Sequence, residues 1–170
     1  MFTTQFLASS FEELKVPEPK KYENPTPIAV ALIPVLARDP KDGVVKTGLL
    51  VGERGIEPRK GQLALPGGFI EYEDWRDALR REVFEETGIS LPPTDTVELV
   101  QVESVEAGRR VLIFGKVPEL SEESLSSFEP NPECPRIKVI FQPESLAYES
   151  HSHVALKFFE ETRQNRLVAR

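Results

Sequence analysis

Residues 67–89 read GGFIEYEDWRDALRREVFEETGI, from Gly67 to Ile89. Asp74 is a candidate N-cap, good helix formers follow, and Gly88 stands where a C-cap glycine belongs, so a helix is predicted over Asp74–Thr87. Trp75, Leu79, Glu82 and Glu86 are spaced 4, 3, 4 and therefore share one face. The first half of that face is apolar and the second half is acidic, with Glu85 at its border. Carboxylates turned toward a core are costly unless a cation compensates. The plain reading is a solvated helix end, with Arg80 and Arg81 in ordinary surface pairs. Two features oppose it. Glu82, Glu85 and Glu86 lie at i, i+3, i+4 and repel one another within one turn. They also sit in the last turns, against the helix dipole. That arrangement has the pattern of a divalent-cation site, and all-oxygen ligands select a hard ion, Mg²⁺ or Mn²⁺.

Working outward, Leu63 to Gly68 reads as a short strand ending in a glycine pair. Arg54 to Gln62 is a polar loop, Thr47 to Glu53 a strand, and Ile28 to Leu36 a buried strand of branched apolar residues. Prolines 17, 19, 25 and 27 make residues 1–27 an irregular N-terminal arm, with the body of the domain over 28–170. Beyond the helix, Val97–Glu106 and Arg110–Val117 read as a hairpin, Leu120–Pro135 as a polar loop, and Ile137–Phe141 as a last strand. His153–Arg166 reads as a second helix. Strands mixed with two helices predict an α/β fold, a mixed sheet flanked by helices.

The chain has 170 residues, 21 basic and 28 acidic, for a net charge of −7. One domain with a full core fits this length. The acidic balance argues against a nucleic-acid-coating or membrane-surface protein. The longest apolar run, Ile28–Ala37, is too short for a membrane span, which needs about 20 residues. A lone cysteine, Cys134, excludes an internal disulfide and a multi-cysteine zinc site, in keeping with a cytoplasmic location. Much of the acidity is local: residues 71–86 hold seven acids against three arginines.

The 67–89 stretch resembles the Nudix box, G-x5-E-x7-R-E-U-x-E-E-x-G-U with U a bulky aliphatic residue. It reads Gly67, Glu73, Arg81, Glu82, Val83, Glu85, Glu86, Gly88, Ile89, and every specified position matches. The preceding Leu65-Pro66 and the Gly67-Gly68 pair resemble the family's L-P-G-G entry. In one respect the chain departs from the family. A family member with a glycine pair is usually counted from its second glycine, whereas here the count works only from Gly67. The loop before Glu73 is thus one residue short.

The resemblance implies a Nudix-type α/β/α sandwich that hydrolyses a nucleoside diphosphate linked to another moiety, with Mg²⁺ or Mn²⁺. It assigns metal binding to Glu82, Glu85, Glu86 and the Gly67 carbonyl. Glu82 is the proposed base, and Arg81 orients a catalytic glutamate. From a late loop, Glu133 is the first choice for an additional carboxylate and Glu129 the second. Arg54 and Gly68 are candidate substrate-binding residues, and Glu73 and Gly88 complete the motif.

Tyr22–Pro27 resembles the segment that follows the zinc ribbon in NADH pyrophosphatase-like members, here without the ribbon's cysteines. This favours a dinucleotide or nucleotide sugar such as NADH or ADP-ribose. The alternatives are a house-cleaning nucleoside triphosphatase and a non-catalytic Nudix-fold ligand sensor. Motifs of other substrate classes are missing, and Ser104 stands near where ADP-ribose pyrophosphatases often carry proline. The oligomeric state is not readable from the sequence, and a homodimer would be in keeping with many family members by analogy. His151 and His153 are read as surface or capping residues, Cys134 as structural, and Trp75 and Phe84 as core.

Overall fold

The computed structural model of the protein describes residues 23–168. In chain order the elements are β1 (Thr26–Leu32), β2 (Pro34–Arg38), β3 (Val45–Glu53), β4 (Leu63–Ala64), β5 (Gly67–Phe69), α1 (Trp75–Thr87), β6 (Glu98–Val105), β7 (Arg110–Lys116), β8 (Leu120–Ser121), β9 (Ile137–Ile140) and α2 (Glu149–Val168).

The strands form two mixed sheets. One runs β5-β1-β7-β6, with β1 and β7 parallel and the other pairs antiparallel. The other runs β4-β3-β2-β8, with β9 added on β3. The expected single strand Ile28–Leu36 is two strands in different sheets. Pro34 has no N–H to continue the first ladder, so the chain leaves that sheet at Ile33. The Ile33 carbonyl instead accepts from the Leu50 N–H of β3 at 3.0 Å.

β1 is buried on both faces, which is why its sequence shows no polar alternation. Ala29, Ala31 and Ile33 face one apolar cluster, which Ala78, Leu79 and Val83 of α1 complete. Val30 and Leu32 face a second cluster, with Phe114 of β7 and Val154, Ala155, Phe158 and Phe159 of α2. One helix thus covers each side, and the fold is the α/β sandwich expected. Trp75 is partly buried against the first cluster. Phe84, expected in the core, is 55% exposed because it lies on the face of α1 opposite Leu79 and Val83.

α1 begins and ends where its caps dictate. The Asp74 side chain accepts from the Arg76 N–H at 2.9 Å. Gly88 takes φ 69° and donates to the Phe84 carbonyl at 2.7 Å. α2 starts at Glu149, four residues earlier than expected, so both histidines lie within it. The expected loop over 120–135 contains β8 and a short 3₁₀ turn. Residues 1–22 of the expected arm lie outside the described residues, and β1 starts at Thr26, before the expected boundary. Among the described residues no helix is long and apolar enough to cross a membrane.

Candidate active site

The acidic half of α1 lies on the glycine strand β5. Gly67, Gly68 and Phe69 pair with Val30, Ala29 and Ile28 of β1. Neither glycine position has room for a side chain. A Cβ at 67 would collide with the Ala29 carbonyl oxygen, and one at 68 with the Glu82 carboxylate. The strand therefore lets α1 approach closely enough for the Gly67 N–H to donate to Glu86 Oε2 at 3.0 Å.

Arg81 holds the flank of the site. Its Nη2 donates to Glu73 Oε1 at 2.7 Å and to the Phe69 carbonyl at 2.9 Å. Its Nη1 donates to Glu82 Oε1 at 2.7 Å and to Glu85 Oε2 at 3.1 Å. The shortened loop thus still delivers Glu73 to Arg81. That guanidinium lowers the Glu73 pKa, and Glu73 and Glu82 together raise that of Arg81.

The carboxylates differ in burial. Burial raises the Glu82 pKa, and this outweighs the opposing effect of Arg81. Glu86 is pushed up to about 7, first by burial and then by the charges of Glu82 and Glu133, with Arg54 and the Gly67 N–H acting the other way. Glu133 is held near this pair by its backbone. Its carbonyl accepts from the Gly55 N–H at 2.7 Å, and its N–H donates to Asn131 Oδ1 at 3.0 Å. Asn131 Nδ2 in turn donates to the Glu86 carbonyl at 2.8 Å, which fastens the late loop to the end of α1.

Glu82, Glu86, Glu133, Gly67, Gly68 and Arg54 all line one cleft of about 760 Å³. That volume lies in the range of small-molecule and cofactor sites, roughly 300–1,000 Å³. Glu73, Arg81, Glu85, Gly88 and Glu129 lie outside its lining. The expected convergence of three helix carboxylates is therefore only partly realised. Glu85 is 57% exposed, because Arg81 at i−4 claims it on the outer side of the helix. Among the described residues no three or more acidic, histidine or cysteine side chains are grouped closely enough to hold a metal ion by themselves. The donor set nevertheless fits a hard divalent cation. Glu86 is a desolvated carboxylate beside two others, with no ion-pair partner among the described residues, and carboxylate oxygens are the ligands such an ion takes.

His151 belongs to this cleft, contrary to the surface or capping role expected. It is 6% exposed, and its Nδ1 accepts from the Leu65 N–H at 3.2 Å. The signal was in the sequence: carried back one turn, the apolar stripe Val154, Ala155, Phe158 reaches position 151. Asn131 had no comparable signal. Cys134 is buried, and burial raises its thiol to about 11, which accords with a structural role.

The α/β sandwich thus brings carboxylates from a helix end and a late loop into one ligand-sized cleft. Residues 25–161 match the model of the NUDIX domain, and the chain belongs to that family. No curated protein matches it. Among solved structures it is similar to a MutT/nudix family protein from Enterococcus faecalis, with TM-score 0.68, 18% identity, and coverage of 86% of this chain and 65% of that one. It is also similar to the NUDIX domain of Shewanella oneidensis NrtR complexed with ADP ribose, with TM-score 0.60, 19% identity, and coverage of 94% and 99%. A third is a bifunctional NMN adenylyltransferase/ADP ribose pyrophosphatase from Francisella tularensis complexed with AMP and a Mn ion. There the TM-score is 0.52, identity is 22%, and the match covers 88% of this chain and 42% of that one. The chain thus spans less than two thirds of the first and third of these proteins.

Proposed function

We propose that this Nudix-family hydrolase cleaves the diphosphate linkage of a nucleoside diphosphate joined to another moiety, a dinucleotide or nucleotide sugar of the ADP-ribose or NADH kind. The observation that carries this reading is the meeting of Glu82 and Glu86 with the Gly67-Gly68 strand on the wall of a cleft that also contains Glu133 and Arg54. Glu82, Glu86 and the Gly67 carbonyl would hold Mg²⁺ or Mn²⁺, with Glu85 joining them on release from Arg81. A cation bound there would offset the diphosphate charge and acidify a bound water.

The chain's own residues supply the remainder. Burial raises the proton affinity of Glu82 and so suits it to take a proton from an attacking water. Arg81 fixes its orientation from outside the cleft and is a positioning residue. Arg54, which shares the cleft wall with Arg110, would meet a phosphate oxygen. Phosphoryl transfer depends mainly on such positioning and electrostatics. The ADP-ribose and AMP in two similar structures support the nucleotide class. A cytoplasmic location fits the lone, buried Cys134.

The test is metal-dependent hydrolysis of a panel of ADP-ribose, NADH, a diadenosine polyphosphate, a nucleotide sugar and a nucleoside triphosphate, with products identified. Release of nucleoside monophosphate from the diphosphate-linked compounds is expected. Preference for the triphosphate would move the substrate class to the house-cleaning alternative. No turnover of any member despite metal binding would replace the enzyme with a ligand sensor.

A further inference from the structure

His151 sits in the first turn of α2 with its imidazole enclosed by the cleft wall. Tyr148 lies with its ring centroid 5.0 Å away, and Phe114 meets it edge-on at 5.9 Å. The Leu65 N–H donates to Nδ1, so the ring proton of the neutral imidazole is on Nε2. Burial, helped by the charge of Arg54, holds the group down to about 4, so the ring is uncharged at neutral pH. Nε2–H has no hydrogen-bond partner among the described residues, yet it is not among the polar atoms sealed from solvent. Buried polar groups are nearly always paired, and this one stands in the wall of a ligand-sized cleft. The Arg54 guanidinium lies 5.4 Å from the Tyr148 ring centroid, and Arg54 Nε donates to the Pro58 carbonyl at 2.8 Å. Arg54, Glu86 and His151 line the same cleft.

We propose that His151 is a specificity-determining residue of this cleft, its Nε2–H donating to an uncharged acceptor atom on the organic group attached to the diphosphate. The inference rests on the proposed function for the position of the diphosphate. A neutral, single donor suits a carbonyl oxygen, ring nitrogen or hydroxyl oxygen, whereas the charged part of the substrate falls to Arg54 and the acidic end. A site built around such a donor rejects analogues that lack the acceptor, because the N–H is then buried unpaired.

Two substitutions separate this role from a structural one. His151→Asn retains an acceptor near Nδ1 for the Leu65 N–H and loses the distal donor. His151→Gln retains a donor near Nε2 and leaves the Leu65 N–H unpaired. An ADP-ribose analogue with a methylene group in place of the bridging diphosphate oxygen is the probe, its affinity measured by calorimetry with saturating Mg²⁺ alongside thermal unfolding. The proposal predicts that the orders cross. His151→Asn unfolds near the wild-type temperature and binds at least tenfold more weakly, while His151→Gln unfolds at a lower temperature and binds within about threefold of wild type. If wild type binds the probe and both variants match its affinity, or affinity simply follows unfolding temperature, the proposal is overturned and the proposed function stands. If wild type does not bind the probe, this inference is overturned, and if it also turns over no panel member the functional reading fails with it.

Discussion

Glu73 and Arg81 meet at 2.7 Å, across a loop one residue shorter than the family pattern, and the same guanidinium holds Glu82. The shortened loop therefore leaves the Glu73–Arg81 contact intact. Lysine at 81 would reach one carboxylate and leave the others without a partner. Arg81→Lys is predicted to lower the hydrolytic rate at least tenfold and to cost about 1–3 kcal/mol of stability. Steady-state kinetics and denaturant unfolding check both, and a variant with wild-type rates would remove Arg81 from the account.

Glu86 is a carboxylate crowded by Glu82 and Glu133, and its pKa is pushed up to about 7. Its charge opposes folding when no cation is bound. Glu86→Gln is therefore predicted to stabilise the metal-free protein at pH 8, by about 1–3 kcal/mol. The same variant should lose most of the stabilisation that Mn²⁺ gives to wild type. Thermal unfolding in a chelator and in Mn²⁺ reads both effects.

The two glycines of the motif fail differently. Gly68→Ala forces a methyl group against the Glu82 carboxylate, so activity should fall sharply while the fold persists. Gly88 takes φ 69° beside the Ser127 carbonyl. Gly88→Ala should cost stability, about 1–2 kcal/mol, with a smaller loss of activity. Circular dichroism melts paired with rate measurements distinguish the two outcomes.

His151 makes acid stability asymmetric. Its pKa is about 4 in the folded protein and 6.5 when unperturbed. Between these values the unfolded chain binds a proton that the native chain does not, so this contribution is present above pH 6.5 and is lost as pH falls toward 4. The raised Glu86 acts oppositely, since its native form keeps a proton up to about pH 7. Comparing wild type with His151→Asn in a chelator isolates the histidine. The stability of wild type relative to the variant should fall by about 2 kcal/mol between pH 7 and pH 5. A pH-independent difference would show that the imidazole is not held neutral.

Residues 67–89 made much of the centre legible, because caps and the 3.6-residue period are local properties. The helix limits of α1 could be read directly, whereas the expected single strand Leu63–Gly68 is split at Leu65-Pro66 into β4 and β5, which belong to different sheets. The Ile33-Pro34 change of sheet could not be read directly either. A doubly buried run has no polar alternation to mark where it leaves one sheet, although the missing proline N–H was a clue. Glu85 was misplaced because spacing puts three carboxylates on one turn without saying which of them Arg81 will claim. His151 was missed because a titratable residue at a helix start reads as exposed until the opposite wall, β4 and Leu65, is in place. The Asn131 link to the Glu86 carbonyl joins residues far apart in the chain, and nothing local announces it.

The central claim is that the Glu86 end of the cleft is where a metal-dependent hydrolase does its work. The most direct measurement compares wild type and Glu86→Gln with saturating Mg²⁺ on whichever member of the panel wild type cleaves fastest. The expected result is a rate at least about 100-fold lower for a folded Glu86→Gln. Equal rates from the two proteins would contradict it.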